Sequence, residues 1–170
     1  MKYTVVLQYD ETDCGVACIA SIAKYYGKTI SFAKIRTLAG TDLMGTSGLG
    51  IVRSAKALGF MCKGLVSKEK KLSNELPVPC IAHIIQDYID HYVVVYKVKK
   101  NNIVIADPAT GIKRIKIDTF IETWSGVLFL LEPEAKFYST HESKSFFNNI
   151  LEILKLYKIY IIEVIIASVL

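Results

Sequence analysis

The order of secondary-structure signals is the strongest constraint that this sequence places on its fold. Signals typical of helices occupy residues 14–58, and from Phe60 onward the signals are typical of strands. Thr12 and Asp13 are capping types that precede the first helix, and a glycine follows each predicted helix. Helices followed by strands, without alternation between them, indicate an α+β fold with N-terminal helices packed on an antiparallel sheet. The predicted helices cover residues 14–26, 31–39 and 47–58.

Beyond the helices, the chain consists of short apolar runs separated by turn residues, which predicts a sheet built from hairpins. Asn101-Asn102 forms the turn of one hairpin, and residues 107–111 form the next turn. A short helix over residues 118–124 precedes the last strand. The predicted strands cover residues 60–66, 79–85, 91–99, 103–106, 112–117 and 126–131.

Composition and charge exclude several classes of protein. With 52% hydrophobic and 22% charged residues, the chain is too apolar for a disordered protein. The net charge of +5 comes from basic residues that are scattered along the sequence, so we expect no nucleic-acid partner. The apolar run Val5 to Leu7 is too short for a signal peptide. We therefore expect residues 1–135 on the cytosolic side, with the four cysteines as free thiols.

The last part of the chain differs in character from the rest. We place the end of the domain at residue 135, followed by a polar linker over 136–145. An amphipathic helix begins near Phe146 and runs into the strongly apolar residues 159–170. A membrane-spanning helix needs about 20 apolar residues, so this segment is either a buried terminal helix or the start of a membrane span.

Residues far apart in the sequence carry the candidate chemistry. Cys14 begins the first predicted helix, where unpaired N–H groups and the helix dipole stabilise a thiolate. His91 begins one strand of a predicted hairpin and Asp107 ends the other, so the hairpin brings them together. A thiol, a histidine base and a carboxylate that orients the base form a general catalytic triad. Gln8, just upstream of Cys14, is a candidate donor to a developing oxyanion.

Each candidate also has an alternative interpretation. A buried free cysteine such as Cys14 is common packing material, and a histidine at a strand end is often structural. His83 is a competing base, but we expect no acidic residue across a turn from it, and His141 lies in the predicted linker. A thiol or zinc site built from Cys14, Cys18 and a histidine is a further hypothesis, although the absence of a CxxC pair argues against it.

The combination of motifs resembles a known family. The segment QYDETDCGVAC, residues 8–18, is similar to the start of cysteine peptidase family 39, the papain-like domain at the N-terminus of peptidase-containing ABC transporters that process bacteriocins. The resemblance extends over about residues 5–132. Further matches are residues 45–59 (GTSGLGIVRSAKALG), 79–84, 91–95 (HYVVV) and 107–108 (DP).

The resemblance implies a papain-like fold and a role for each matching residue. Cys14 matches the nucleophile, His91 the general base and acid, Asp107 the carboxylate that orients His91, and Gln8 the oxyanion donor. Tyr92, next to the base, is a candidate wall of the substrate channel. The implied mechanism needs no metal or other cofactor, and Cys18 is expected to be helix packing.

The implied function is cleavage of a precursor peptide after a Gly-Gly or Gly-Ala pair that ends its leader, coupled to export by an ABC transporter. The implied partners are the precursor and the membrane-spanning and nucleotide-binding parts of a homodimeric transporter, which alone would use ATP. Residues 146–170 then become an elbow helix and the truncated start of the first membrane span. The implied location is the cytoplasmic face of the bacterial plasma membrane, with the isolated domain soluble in the cytoplasm. The alternative function is a non-cleaving cargo-docking domain of a secretion transporter.

Overall fold

The computed structural model describes residues 2–73 and 75–139. The amphipathic segment predicted over 146–170, and the part of the predicted linker beyond residue 139, lie outside these residues. None of the helices within the described residues is long and apolar enough to cross a membrane.

Three helices lie at the N-terminal end of the domain, as predicted, and each boundary has a local cause. The Ser31 side chain accepts a hydrogen bond from the backbone of Lys34 at the start of the second helix, and Ser47 does the same for Gly50 at the third. Gly40 ends the second helix with a left-handed φ of 65°, which glycine adopts without strain. The helices are α1 (Cys14–Tyr25), α2 (Phe32–Ala39) and α3 (Gly48–Ala57).

A six-stranded antiparallel sheet follows, which confirms the predicted α+β class. The spatial order of the strands is β1-β6-β2-β3-β4-β5, so the last strand returns to lie between the first and second. The remaining two helices flank β6 in the sequence. The elements are β1 (Phe60–Val66), β2 (Cys80–Gln86), β3 (Ile89–Val98), β4 (Asn102–Asp107), β5 (Gly111–Lys116), α4 (Ile117–Thr123), β6 (Trp124–Pro133) and α5 (Ala135–Ser139).

Each face of the sheet covers its own hydrophobic core. On one face, α1 is almost wholly buried between β3 and the other N-terminal helices, which explains the apolar composition of its sequence. The opposite face packs Phe120 of α4 and Trp124 against β2, β3 and β4. The larger core positions Cys14. Cys14 is the first residue of α1, and the buried side chains of α1 belong to this core.

The domain extends further than we predicted. Residues 136–139, which we assigned to a polar linker, belong to α5, and Phe137 is fully buried there. Its ring lies 4.4 Å from that of Phe60, measured between centroids, and also contacts Tyr26. Our boundary at residue 135 is therefore wrong, because it excludes most of α5 from the domain. One aromatic side chain within a polar stretch is enough to attach this short helix to the core.

The β2–β3 hairpin is also longer than we predicted. The strands extend to Gln86 and Ile89, which pair with each other, and leave only Asp87 and Tyr88 in the turn. Both turn residues have positive φ, 51° and 65°, as a tight two-residue hairpin requires. As a consequence, Asp90 belongs to β3 and lies close to β2 instead of in a loop.

Candidate active site

Cys14 is the first residue of α1 and is 5% exposed. A single 3-10 turn, Glu11–Asp13, leads into it, and the buried carboxylate of Asp13 accepts a hydrogen bond from Arg36 on α2. Gly15 allows this helix start to lie against the loop before α3, because a Cβ there would approach the Thr46 Cβ to 2.8 Å. The local sequence thus fixes the thiol at the N-terminus of α1.

His91 and Asp107 are brought together at the open end of the β3–β4 hairpin, as predicted. The Nε2 atom of His91 lies 2.9 Å from Oδ1 of Asp107. The same carboxylate accepts hydrogen bonds from the Ala109 N–H at 2.9 Å and from the Thr110 hydroxyl, and Lys113 Nζ lies 3.4 Å from Oδ2. Asp107 is therefore held as an ionised acceptor, so His91 donates its Nε2–H to it.

The protonation of His91 follows from its surroundings. Burial alone would lower the pKa of His91, but hydrogen bonds to Asp107 and Cys14 and the negative charges of both raise it to about 9. Burial acts in the opposite sense on Asp107, but its hydrogen bonds to His91, Thr110 and Ala109 hold the pKa of Asp107 well below its usual range. Since Nε2 is used by Asp107, Nδ1 is the ring nitrogen left for the sulfur. The arrangement favours a protonated His91 ring beside the Cys14 sulfur at neutral pH.

Gln8 lies next to the turn that carries Asp107. Its backbone N–H donates to the Pro108 carbonyl at 3.0 Å, while its side-chain Oε1 is buried and has no hydrogen-bond partner among the described residues. The segment before it is held by α1, since the Val6 N–H donates to the Ser21 hydroxyl at 2.8 Å, and by β3, since the Tyr96 hydroxyl donates to the Thr4 carbonyl at 2.8 Å. Backbone hydrogen bonds thus hold Gln8 against the turn that follows Asp107, and hold the residues before it against α1 and β3.

An open groove of about 530 Å³ contains Cys14 and Tyr92. Tyr92 is buried and packs against Phe129 on one side and the His83 ring on the other, with centroids 6.1 and 5.1 Å apart. The opposite edge of the groove is formed by the loop before α3, including the exposed side chains of Leu43 and Met44. The position of Tyr92 is that of a wall beside the thiol.

Our prediction that His83 lacks an acidic partner across a turn is wrong. The Nε2 atom of His83 lies 3.2 Å from Oδ1 of Asp90, and both residues line the groove with Cys14. We missed the pair because the tight turn at Asp87 and Tyr88 has no glycine or asparagine to mark it.

All four cysteines are free, and three of them lie away from the groove. Burial, together with the negative charges of Cys14 and Asp107, raises the pKa of Cys18 far above that of an exposed thiol. Burial also raises the pKa of Cys62 to about 11 and that of Cys80 to about 12. These three thiols are packing groups in the two cores. Within residues 2–73 and 75–139, no group of three or more His, Cys, Asp or Glu side chains is arranged to hold a metal ion.

A comparison with family sequence profiles decides the classification. The profile of the peptidase C39 family matches residues 2–136, which is most of the chain and nearly all of the described domain. The chain belongs to the peptidase C39 family. The C39 domain is a cysteine peptidase domain, and its helices and antiparallel sheet are the papain-like arrangement that we predicted.

Curated relatives match this C39 domain over only a part of their own, much longer sequences. The lactococcin-G-processing and transport ATP-binding protein LagD of Lactococcus lactis subsp. lactis is 47% identical over 135 residues, which covers 78% of this chain and 19% of the relative. The mesentericin-Y105 transport/processing ATP-binding protein MesD of Leuconostoc mesenteroides is 36% identical and covers 99% of this chain and 24% of the relative. The chain thus spans about a fifth to a quarter of the length of these relatives.

Solved structures agree with this classification. The peptidase domain of Streptococcus ComA, described as a bifunctional ABC transporter in a quorum-sensing pathway, superposes with a TM-score of 0.72 at 37% identity, covering 78% of this chain and 100% of that one. A double glycine motif protease from an AMS/PCAT transporter, solved in complex with its leader peptide, gives a TM-score of 0.70 at 27% identity, covering 78% of this chain and 94% of that one.

Proposed function

We propose that this C39 domain cleaves precursor peptides after a double-glycine or Gly-Ala pair at the end of their leader. The observation that carries the proposal is the arrangement of Cys14, His91 and Asp107, with the thiol at a helix N-terminus, the imidazole hydrogen-bonded to Asp107 and the pKa of the imidazole raised by both partners. The similarity to a double glycine motif protease bound to its leader peptide supports the substrate class.

The proposed reaction has two steps, and each uses groups of this chain only. The Cys14 thiolate attacks the carbonyl carbon of the second small residue, and the oxyanion accepts hydrogen bonds from the Cys14 N–H and the Gln8 carboxamide. As the peptide C–N bond breaks, His91 transfers its proton to the departing amine, and the leader remains as a thioester on Cys14. Water then attacks the thioester while His91 takes up one of its protons, which releases the leader and restores the thiolate.

Asp107 and Tyr92 have supporting roles in this mechanism. Asp107 orients the ring of His91 and stabilises the imidazolium, so that Nδ1 faces the sulfur. Tyr92 forms a wall of the groove beside Cys14 and restricts the substrate to small residues at the cleaved bond, because a larger side chain would clash with it.

The relatives suggest the setting in which the domain acts. Several are named transport and processing ATP-binding proteins, so we propose that this domain serves the transmembrane and nucleotide-binding parts of a homodimeric ABC transporter at the cytoplasmic face of the membrane. In that setting ATP is used by the transporter, and the peptidase mechanism itself requires no cofactor. We keep the division into a domain, a linker and a membrane-approaching segment as part of this proposal, with the domain now including α5.

The test is direct cleavage of candidate precursors. The purified chain is incubated with bacteriocin precursors whose leaders end in Gly-Gly, and the products are mapped by mass. We expect one cut, after the second glycine, and none with Cys14→Ala, which should still bind the precursor. An uncut precursor with Cys14 shown to be reduced would contradict the proposal and favour a cargo-docking domain.

A further inference from the structure

His83 lies in the groove with Cys14, and the mechanism above does not use it. Its side chain is 18% exposed and contacts a polar group through each ring nitrogen. Nδ1 lies 2.9 Å from the hydroxyl of Ser125 on β6, and Nε2 lies 3.2 Å from the carboxylate of Asp90 on β3. A histidine placed beside a nucleophile and oriented by a fixed hydroxyl is a candidate for contact with substrate.

Ser125 determines which ring nitrogen of His83 carries the hydrogen. The Ser125 hydroxyl donates its only hydrogen to the backbone carbonyl of His83 at 3.0 Å. Towards the ring it can therefore only accept, so Nδ1 of His83 must be the donor. The Val127 N–H also donates to this oxygen at 3.3 Å, which fixes the hydroxyl further. In the neutral ring, Nε2 is then a bare acceptor.

When the ring is neutral, this acceptor has no hydrogen-bond donor within the part of the chain that the structure describes. Asp90 presents only a carboxylate oxygen to Nε2, and two acceptors cannot share a hydrogen bond without a proton between them. Burial lowers the pKa of His83 and the nearby His91 lowers it further, although Asp90 acts against both. The neutral ring therefore dominates at neutral pH. Asp90 is 78% exposed, so its carboxylate can turn to solvent.

We propose that His83 is a substrate-binding residue whose Nε2 accepts a hydrogen bond from a backbone N–H of the peptide in the groove. The inference rests on the proposed function only in that the peptide must occupy the groove beside Cys14. A peptide N–H supplies the donor that the neutral ring lacks. When the ring is protonated, Nε2–H donates to Asp90 instead, so protonation competes with the peptide.

The first test measures binding without cleavage, in the Cys14→Ala background. A synthetic precursor segment that spans the Gly-Gly site is prepared as a set, each peptide N-methylated at one backbone nitrogen. We expect methylation at one position to weaken binding about 10-fold, the loss of one buried hydrogen bond. In the His83→Ala, Cys14→Ala protein, the methylated and unmethylated peptides should bind equally, because the acceptor is absent. Equal losses in both proteins at every position would overturn the proposal.

The second test follows the ring itself by ¹⁵N NMR of histidine-labelled Cys14→Ala protein. Asp90 and His91 act on the charge of His83 and Tyr92 packs against its ring, while Glu11, Asp42 and the residue at position 14 line the same groove. Since the peptide selects the neutral ring, binding should lower the pKa of His83 and keep its hydrogen on Nδ1. An unchanged or raised pKa on binding would contradict the assignment.

Two substitutions separate a binding role from a structural one. Ser125→Ala frees the ring to place its hydrogen on Nε2, so it should weaken peptide binding although Ser125 need not touch the peptide. Asp90→Ala removes the group that stabilises the protonated ring, so the loss of affinity at acid pH should move to lower pH. Failure of the proposal is distinct from failure of the proposed function: in the first case the wild type cleaves and His83→Ala binds normally, and in the second the wild type leaves the precursor uncut.

Discussion

The backbone of Gln8 is hydrogen-bonded to the carbonyl of Pro108, the residue that follows Asp107. This bond joins the segment before the candidate nucleophile to the turn that holds the orienting carboxylate. The candidate oxyanion donor and the candidate triad therefore share one support, although they are distant in the sequence.

Replacement of Gln8 by alanine should lower kcat about 100-fold with little change in KM, because one oxyanion donor is lost only in the transition state. The measurement is steady-state cleavage of a double-glycine precursor. Gln86→Ala is the matched control, since Gln86 is exposed at the end of β2 and should leave kcat unchanged. Equal effects of the two substitutions would exclude Gln8 from the oxyanion hole.

Asp107→Asn should reduce kcat/KM by about 10- to 100-fold, the loss of a charge-assisted hydrogen bond to His91. It should also lower the pKa of His91, because the charge and the hydrogen bond of Asp107 raise it. The basic limb of the pH profile would then move to lower pH. Asp118→Asn, on an exposed carboxylate of α4, should change neither quantity.

The pH profile of the wild type should have a basic limb near pH 9. His91 must be protonated to donate to the leaving amine, and its pKa is raised to about 9, so kcat/KM should fall as the pH rises through that value. The same group stabilises the fold fully below about pH 6.5, the unfolded pKa of histidine, and this stabilisation is lost as the pH approaches 9. Activity that stays level to pH 10 would contradict the proposed role of His91.

Alkylation should distinguish Cys14 from the other three cysteines. Cys18, Cys62 and Cys80 are buried and have raised pKa values, so they are thiols at neutral pH. Cys14 borders the open groove and faces His91. Limited treatment with iodoacetamide at pH 7, read by peptide mass mapping, should modify Cys14 first and abolish cleavage in proportion. Prior modification of Cys18 would refute this assignment.

Phe137→Ala should destabilise the domain by about 3 kcal/mol, since it removes a fully buried aromatic side chain from contact with Phe60. Thermal or denaturant unfolding provides the measurement. Tyr138→Ala, at an exposed neighbouring side chain, should have little effect. A chain ending at residue 134 should be less stable than one ending at residue 139, which retains Phe137.

The sequence predicted the order of helices and strands because each boundary has a local signal. The glycines after the helices and the asparagine turn between β3 and β4 mark positions where only a few residue types fit. His91 and Asp107 could be paired for the same reason, since a hairpin with a recognisable turn fixes which strand ends meet. Their roles still required the resemblance to a family, because spacing alone does not distinguish a triad from a structural pair.

The missed features lack such local signals. The Asp87-Tyr88 turn contains no glycine, and tyrosine seldom adopts positive φ, so nothing indicated that Asp90 would lie beside His83. The burial of Phe137 depends on the space that Phe60 and Tyr26 leave at one end of the sheet, which is a property of the tertiary structure. Hydropathy within a polar stretch cannot reveal a single anchoring side chain.

Residues 4–6 are hydrogen-bonded both to Ser21 on α1 and to Tyr96 on β3, and this limits the activity of a partly unfolded molecule. Cys14 comes from the helical layer and His91 from the sheet, and the segment that ends in Gln8 is hydrogen-bonded to both layers. A molecule that opens between the layers would separate Cys14 from His91 and release the support of Gln8 at the same time. Partial unfolding would thus produce an inert protein instead of an indiscriminate protease.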